Sequence, residues 1–276
     1  MDKSYLPPIS NNNLLLEEMN AIQVKHKINE KTVAILVLGA CENHGDHMPF
    51  GSDFIFPKKL VEIIIEDLMK PRDKEQVLDN NFILLPSMPY GVSSHHNNFQ
   101  MTISLEPNTL ISIIENVFSS LVRHGIRRII VINGHDGNIG PIEVASRNIK
   151  DRFPDIVIAC LESWWVLVGK KNRHLFEVWD GLGHGGEAET SAMLYVRPDL
   201  VNTKYSPSET IPNLPSDEIR LYWKFNELTK TGATGASNKA TLEKGKKIVE
   251  ILKDVLGSFL VKMQSSDWKY GVESGN

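Results

Sequence analysis

The stretch Val33-Ala-Ile-Leu-Val-Leu-Gly-Ala40 decides the fold, because an unbroken apolar run rich in valine predicts a strand that is buried on both faces. Three similar runs predict further strands at Phe82–Pro86, Arg128–Ile132 and Ile156–Cys160. Stretches with apolar residues three or four positions apart predict helices over Pro57–Met69, Pro107–His124, Pro141–Arg152, from near Glu187, and over Ala240–Val261. Strands that alternate with helices indicate a parallel sheet covered by helices on both faces.

The predicted fold class is therefore α/β, a three-layer sandwich with a mostly parallel sheet flanked by helices. No linker rich in glycine and serine divides the chain. We expect a single domain over residues 1–276, with a core of about 33–262 and an N-terminal extension of 1–32.

Composition restricts the classes of function. The chain has 30 basic and 34 acidic side chains, a formal net charge of −4 and no long run of one sign, which gives little support to a nucleic-acid or anionic-membrane partner. No signal peptide is apparent, and no apolar run reaches the roughly 18 residues that a membrane helix needs. The two cysteines, Cys41 and Cys160, lie in or just beyond strand-like runs and are expected to be reduced, so we expect a cytoplasmic protein.

Polar side chains follow the first strand, in the segment Glu42-Asn-His-Gly-Asp-His-Met-Pro-Phe-Gly-Ser-Asp53. If the chain stays extended after Ala40, Glu42 and His44 point to the same side, since strand side chains alternate, and Asp53 closes the site from the far end of the loop. Loops at the carboxyl ends of parallel strands line the active crevice of α/β proteins. Mixed nitrogen and oxygen ligands suit Zn²⁺ or Mn²⁺. The alternative is a polar loop in which Asp53 caps the next helix.

A second cluster, Asn133-Gly-His-Asp-Gly-Asn138, follows the third strand. Its glycines permit positive φ angles and close backbone approach, so His135 can be held rigidly above the edge of the sheet. The alternative is an ordinary strand-to-helix turn, for which Asn-Gly is a common pair. His95 and His96 follow the end of the second strand and are expected to border the same crevice, with His96 as a candidate substrate-binding residue.

A third cluster runs from Asp180 to Ser191 and leads into an apolar helical run. Within it, His184, Glu187 and Glu189 are able to supply a last metal ligand and a proton-transfer group. Acids in the first turn of a helix are also ordinary, because carboxylates favour the positive end of the helix dipole. A plain helix start is therefore the alternative.

Tryptophans near these segments are candidates for the walls of the crevice. Trp164 and Trp165 follow the fourth strand, and Trp179 with Asp180 precedes the histidine of the third cluster. These rings are able to stack on a planar substrate. The alternative for Trp164 and Trp165 is a place in the core or in an oligomer contact.

The three clusters resemble the signatures of the creatininase family of metal-dependent amidohydrolases. The first signature of that family, E-x-H-G-x-H-x-P-x-x-x-D, is similar to residues 42–53. Its N-G-H-x-x-N is similar to residues 133–138, and its H-x-G-E-x-E-T-S is similar to residues 184–191. With further similar stretches, the resemblance spans roughly residues 33–260.

The resemblance implies a compact α/β fold, a homohexamer and two divalent metal ions in each active site. Carried over by position, Asp53 bridges the two metals. Glu42 and His135 bind one of them, and His44 binds the other.

This chain departs from the family pattern at two places. In creatininase proper, the residue two positions after the N-G-H histidine is a glutamate that completes the second metal's shell, whereas this chain, like many relatives, has Gly137. Glu189 is the candidate for the missing carboxylate, and Asp136 is a less favourable one. Where relatives commonly carry Pro-Gly, this chain has Gln100-Met101. Both changes border the expected substrate pocket and put creatinine itself in doubt as the substrate.

The function that follows is metal-assisted hydrolysis of a C–N bond in a small cyclic amide or a formamide. Two cations (Zn²⁺, Mn²⁺ or Fe²⁺) would lower the pKa of a shared water and polarise the substrate carbonyl, while His184 or Glu187 moves the proton to the leaving nitrogen. Alternatives within the family are a deformylase acting on a formamidopyrimidine nucleotide of flavin or deazaflavin biosynthesis, and a hydrolase of a keto-inositol ring. The alternative from another class is a metal-stabilised binding protein without catalysis.

Overall fold

A computed structural model describes residues 13–70, 81–208, 215, 219 and 221–271. In that part of the chain, four strands form a parallel sheet in the order β2-β1-β3-β4. The strands are β1 (Thr32–Leu38), β2 (Asn81–Leu84), β3 (Arg128–Asn133) and β4 (Val157–Leu161). Valine and isoleucine dominate them, because β-branched side chains suit a pleated surface that is covered on both faces. The four predicted strands and the parallel sheet are confirmed.

Helices cover both faces of the sheet. They are α1 (Ala21–Lys27), α2 (Ser52–Leu68), α3 (Pro107–Arg123), α4 (Ile139–Arg152), α5 (Trp164–Lys171), α6 (Glu187–Val196) and α7 (Leu242–Ser265). Since strand side chains alternate, Val33 and Ile35 of β1 join one apolar core with α2, α5, α6 and α7. Ala34 and Leu36 join the core on the other face with α3 and α4. The predicted three-layer α/β sandwich is confirmed.

The start of α2 and the presence of α5 differ from the sequence prediction. α2 begins at Ser52, before the predicted start at Pro57, so that Pro57 lies inside the helix and Asp53 lies in its first turn. Proline has no N–H to donate to the Asp53 carbonyl four residues earlier, and that oxygen packs against Gly134 instead. α5 occupies a segment where the sequence predicts no helix, and its first residue, Trp164, packs against the core.

The first two polar clusters leave the sheet side by side. Leu38 at the end of β1 pairs with Asn133 at the end of β3, and the Gly134 N–H donates to the Leu38 carbonyl at 2.8 Å. A Cβ atom at Gly134 would lie 1.8 Å from the Asp53 carbonyl oxygen. Only glycine therefore allows the start of α2 to pack on the end of β3, which brings Asp53, the last residue of the first cluster, against the second cluster.

The N-terminal extension is attached to the sheet. The Leu84 N–H of β2 donates to the Leu14 carbonyl at 2.9 Å, and Asn20 and Gln23 form a capping box at the start of α1. Residues 1–12 of the predicted extension lie outside the described residues, and the division into domains stays a prediction. None of the helices in the described ranges is both long enough and apolar enough to span a membrane.

Candidate metal centre

Four side chains from separate segments meet at the carboxyl edge of the sheet. His135 Nδ1 lies 3.2 Å from Glu42 Oε1 and 3.2 Å from Asp53 Oδ2. His44 Nε2 lies 2.9 Å from Asp53 Oδ1. All four side chains are buried. The structure thus brings together four of the five residues that the sequence predicts as metal ligands.

Backbone carbonyls fix the orientation of both imidazoles. His135 Nε2–H donates to the Val92 carbonyl at 2.9 Å, and His44 Nδ1–H donates to the Glu42 carbonyl at 3.1 Å. A neutral imidazole that donates from one nitrogen presents the lone pair of the other. In both residues this second nitrogen faces the carboxylates, which is the arrangement of metal-binding histidines in proteins.

The carboxylates carry buried oxygens that accept no regular hydrogen bond, namely both oxygens of Glu42 and Oδ2 of Asp53. A buried carboxylate of this kind is costly unless positive charge compensates it. Ligand atoms of Glu42, His44 and Asp53 all lie within 4.8 Å of one another. These residues therefore fit a divalent cation with mixed nitrogen and oxygen ligands.

Charges in the cluster shift the pKa values of its members. Burial opposes the protonated form of His44, but the carboxylates of Asp53, Glu189 and Glu42 together outweigh burial and raise the pKa of His44 to about 10. At His135, burial is likewise outweighed by Glu42 and Asp53, so the pKa lies well above its ordinary value. Burial raises the pKa of Glu42, but His135, His96 and His184 together more than offset this and hold the pKa well below its usual range. The carboxylates therefore hold positive charge strongly, as a proton or as a metal ion.

A second group of ligands adjoins the first. His44, His184 and Glu189 offer ligand atoms within 4.8 Å of one another, and Glu189 Oε2 lies 4.0 Å from His44 Nε2. The Gly185 N–H donates to the same Glu189 oxygen at 2.7 Å. Burial raises the pKa of Glu189 to about 7, against the opposing charge of His44. Glu189 thus stands beside the cluster, and its role as the substitute for the carboxylate missing at Gly137 stays a prediction.

Gly137 leaves no room for a side chain. A Cβ atom there would lie 2.0 Å from the Val92 carbonyl oxygen and 2.7 Å from His135 Nε2. The same carbonyl accepts the hydrogen bond that orients His135. A carboxylate at position 137 is therefore incompatible with this backbone, and the second ligand group takes its carboxylate from α6.

Two further histidines border Glu42. His184 Nε2–H donates to the Asn43 carbonyl at 2.5 Å, so Nδ1 carries the lone pair and lies 3.5 Å from Glu42 Oε1. His96 is fully buried, and neither of its ring nitrogens has a hydrogen-bond partner. Burial lowers the pKa of His96 to about 3, and burial with the neighbouring His96 and His44 holds the pKa of His184 well below its ordinary value. His184 therefore presents a neutral, basic nitrogen to the centre.

The two asparagines of the second cluster tie the loops together. Asn133 Nδ2 donates to the Glu162 carbonyl, after β4, at 2.9 Å. Asn138 Nδ2 donates to the Gly39 carbonyl, after β1, at 3.0 Å, and its Oδ1 accepts the Val92 N–H, after β2, at 3.0 Å. The segments that follow the four strands are thus fixed relative to one another.

The cluster forms the floor of a cavity of about 310 Å³. Among the described residues that line it there are acids and histidines but no lysine or arginine. The apolar part of the wall consists of Trp165, Val166, Trp179, Leu182, Trp223, Phe225 and Leu228. A cavity of this size takes a small molecule.

The predicted substrate-binding residues divide into two sets. Those that line the cavity are His96, Trp165 and Trp179. Trp164 is instead 3% exposed, with its ring centroid 4.7 Å from that of Phe56, because successive side chains at the start of α5 point about 100° apart. Asp180 is exposed and lies outside the cavity lining. Its position and that of Trp164 do not favour the predicted contact with substrate.

Glu187, predicted as a proton-transfer group, faces away from the cavity. Its carboxylate accepts the N–H groups of Glu177 and Val178 at 3.0 and 3.1 Å and the Lys244 ammonium at 2.5 Å. Glu187 and Glu189 are two positions apart at the start of α6, and side chains so spaced point about 200° apart around a helix. Only Glu189 faces the centre, so the position of Glu187 does not favour the predicted catalytic role.

Part of the wall comes from residues that belong to no motif. The ring of His95 stacks parallel to that of His135 with centroids 5.6 Å apart, and Phe225 stacks on His96 at 3.9 Å. Trp223 makes edge-on contacts with His95 and Phe225. The aromatic-rich stretch Tyr222-Trp-Lys-Phe225 is the signal that the sequence offers for this side of the cavity.

A methyl group at Gly137 should disturb the centre. We expect Gly137→Ala to displace the Val92 carbonyl from His135 and to weaken Zn²⁺ binding at least about tenfold. An overpacking cost of about 1.4 kcal/mol to the metal-binding conformation corresponds to a tenfold loss of affinity. Gly140→Ala, in the first turn of α4, is the matched control because its Cβ would meet nothing within 4 Å. Competition with a chromophoric chelator measures both affinities. Equal affinities for the two variants would show that the close contact at Gly137 is unimportant.

Cation binding should release protons. The pKa of His44 is about 10, so at pH 7.5 its ring carries a second proton, and the charges of Glu42 and Asp53 favour the protonated form of His135 as well. Since a ligating imidazole must be neutral, we expect Zn²⁺ to displace at least one proton per subunit, and less as the pH rises through the pKa of His44. Calorimetric titration in buffers of different ionisation enthalpy counts these protons. A binding heat that is independent of the buffer would contradict the raised pKa values.

A family model described as "Creatininase: Creatinine amidohydrolase" matches residues 17–260, which include all three polar clusters. The chain is 28% identical over 240 residues to creatinine amidohydrolase of Pseudomonas putida, which covers 79% of this chain and 85% of that protein. It is 24% identical over 223 residues to the mycofactocin precursor peptide peptidase of Mycolicibacterium smegmatis, which covers 78% of this chain and 79% of that protein.

Solved structures of creatininase have the same fold. A manganese form has a TM-score of 0.74 and a Zn–Zn form of a mutant has a TM-score of 0.73, each at 24% identity over 90% of this chain and over 98% and 97% of theirs. The family match extends over most of the sequence and includes every residue of the two ligand groups. The chain therefore belongs to the creatininase family of metal-dependent amidohydrolases.

Proposed function

We propose that this protein hydrolyses a C–N bond of a small cyclic amide or a formamide, with two divalent cations in each subunit. The observation that carries the proposal is that buried carboxylate oxygens without a hydrogen-bond partner and histidine nitrogens meet on the floor of a small cavity. The existence of manganese and Zn–Zn forms of creatininase supports Mn²⁺ and Zn²⁺ as the metals.

Two sets of side chains would hold the cations. Glu42 and His135 would hold one, His44 and Glu189 would hold the other, and Asp53 is within reach of both. When bound, divalent cations lower the pKa of coordinated water and polarise a carbonyl oxygen. The backbone carbonyls that hold His44 and His135 keep both rings in the ligating orientation.

His184 is the residue that we assign to proton transfer. Its Nδ1 carries a lone pair at the cavity floor, and the Asn43 carbonyl fixes the ring through Nε2–H. Nδ1 would accept a proton from water and return it to the leaving nitrogen, a role worth about 10²–10⁴-fold in rate. The aromatic wall shields this transfer from bulk water.

The cavity wall supports a planar substrate that is uncharged or cationic. Trp165 and Trp179 offer ring faces for stacking. Apart from the proposed metal ligands and the histidines, the charged side chain of the described wall is Asp136, and the described wall has no lysine or arginine to bind an anionic substituent. Creatinine and other small lactams meet these conditions, because each contains a compact ring with a C–N bond.

The alternatives have less support. A formamidopyrimidine nucleotide carries phosphate, which basic side chains normally bind, and the described wall offers none. A keto-inositol ring presents hydroxyl groups in several directions, and an aromatic wall would leave some of them without partners. A metal-stabilised binding protein would bind cations without turning over any amide. The homohexamer implied by the family resemblance and the cytoplasmic location remain proposals.

Removal of the metal should abolish activity. We expect the metal-replete protein to hydrolyse at least one member of a panel of creatinine, small lactams, formamides and formamidopyrimidine nucleotides, and to lose turnover on exhaustive chelation. Glu42→Gln or His135→Ala should lose both bound metal and turnover, because each removes a ligand from a buried site. Elemental analysis and chromatography of products provide the readouts. Full activity after chelation would refute the proposal, and tight metal binding with no turnover would favour the binding protein.

Loss of the His184 imidazole should separate chemistry from metal binding. We expect His184→Ala to lower kcat about 10²–10⁴-fold, the contribution of a positioned acid–base group, while the cation assigned to Glu42 and His135 remains bound. His124→Ala is the matched control, since His124 is an exposed histidine at the end of α3. Steady-state kinetics with elemental analysis measures both effects. An unchanged kcat in His184→Ala would assign proton transfer to another group.

A further inference from the structure

Glu187 is a fully buried carboxylate that the proposed hydrolysis does not use. Its side chain joins three parts of the chain at the start of α6. Oε2 accepts the N–H groups of Glu177 and Val178 at 3.0 and 3.1 Å, and Oε1 accepts the ammonium of Lys244, on α7, at 2.5 Å. Lys244 also donates to Glu177 Oε1 at 3.0 Å. The carboxylate therefore anchors the backbone at residues 177 and 178 to two helices of the core.

The anchored backbone continues into a turn that residues with side chains rarely adopt. Trp179 and Asp180 have φ angles of 49° and 51°, and Gly181 follows at 80°. Consecutive left-handed residues persist only where their surroundings hold them in place. The N–H groups bound by Glu187 immediately precede this turn. On its other side the Asp180 carbonyl packs so closely on α5 that a Cβ at Gly169 would lie 2.5 Å from it.

The turn determines the position of one wall of the cavity. The Trp179 side chain lines the cavity and is 37% exposed, and Leu182 and Gly183, just after the turn, line it as well. Any shift of the backbone at residues 177 and 178 therefore moves the indole relative to the floor. The carboxylate that prevents such a shift belongs to the same helical turn as Glu189, which faces the floor itself.

We propose that Glu187 is a positioning residue that sets the place of Trp179, and through it the fit of the substrate, without taking part in the chemistry. The inference rests on the proposed function in taking this cavity as the substrate site. Loss of the carboxylate should therefore raise KM, whereas kcat and metal content should change little.

Fluorine NMR of the full chain labelled with 5-fluorotryptophan tests the proposal directly. The chain has five tryptophans, and Trp179→Phe identifies the Trp179 line. We expect Glu187→Ala to shift and broaden this line and to leave the line of Trp268 in place. KM for the amide found in the substrate panel should rise about tenfold, equivalent to about 1.4 kcal/mol and near the upper range of a stacking contact. Zn²⁺ content should be unchanged, and kcat should stay within about threefold because no group at the reacting atoms is removed.

Two further variants sharpen the comparison. Glu187→Gln keeps an oxygen that is able to accept the two N–H groups, so its Trp179 line should lie between those of the wild type and Glu187→Ala, and it carries the test if the alanine variant does not fold. Glu177→Gln is the matched control, because it removes another carboxylate bound to Lys244 without removing an acceptor from the turn. It should leave the Trp179 line in place.

A Trp179 line that is unmoved in every folded Glu187 variant would overturn the proposal. So would a loss of metal in Glu187→Gln, because that result would place Glu187 in the metal centre. Absence of amide turnover in the wild type would refute the proposed function, but it would leave the NMR comparison of Trp179 intact. The two failures are therefore distinguishable.

Discussion

The site depends on buried carboxylates whose oxygens have no hydrogen-bond donor. Both oxygens of Glu42 and Oδ2 of Asp53 are shielded from water, and such groups are stable only beside positive charge. The two nearest imidazoles, of His44 and His135, cannot rotate away, because a backbone carbonyl holds each of them through its other nitrogen. A cation between these groups would compensate the carboxylates and use both lone pairs. Protonation of the two imidazoles also places positive charge beside the carboxylates, which is why the pKa values of these histidines are raised.

Main-chain packing, rather than side-chain contact alone, keeps these groups together. Gly134 allows the start of α2 to approach the end of β3, and Gly137 allows the Val92 carbonyl to reach His135. Asn138 then bonds the segments after β1 and β2 to each other. Gly137 and Asn138 of the second polar cluster therefore shape the site without lining the cavity, whereas Gly134 both shapes and lines it. A change at any of them acts on the centre through the backbone, and its effect should be distinguishable from loss of a ligand.

Two features could be predicted from the sequence: the elements whose apolar residues recur at a regular spacing, and the position of loops at the ends of strands. Strand alternation fixes both faces of β1, and the ends of parallel strands meet at one edge, so the first two clusters had to adjoin. The rotation of α6 about its axis has no such local signal, because its buried residues lie all round the helix rather than on one apolar stripe. This is why the directions in which Glu187 and Glu189 point could not be predicted from the helix start. The directions of Trp164 and Trp165 could not be predicted because the sequence predicts no helix in their segment. The aromatic wall at 223–225 lies in irregular backbone, whose position depends on tertiary contacts.

The floor and the walls of the cavity thus have different origins, and this difference bears on substrate choice. The floor consists of short motifs at strand ends, which a family shares, whereas the walls come from the turn at 179–181 and the segment at 223–228. Relatives named for creatinine and for a precursor peptide belong to one family, so the shared floor cannot by itself select the substrate. In this chain the turn at 179–181 is fixed by Glu187, whose helix also supplies Glu189 to the floor. The start of α6 therefore couples the shape of the wall to the geometry of the proposed metal ligands. Substitutions that change the wall must preserve this helix start if the metal centre is to be preserved.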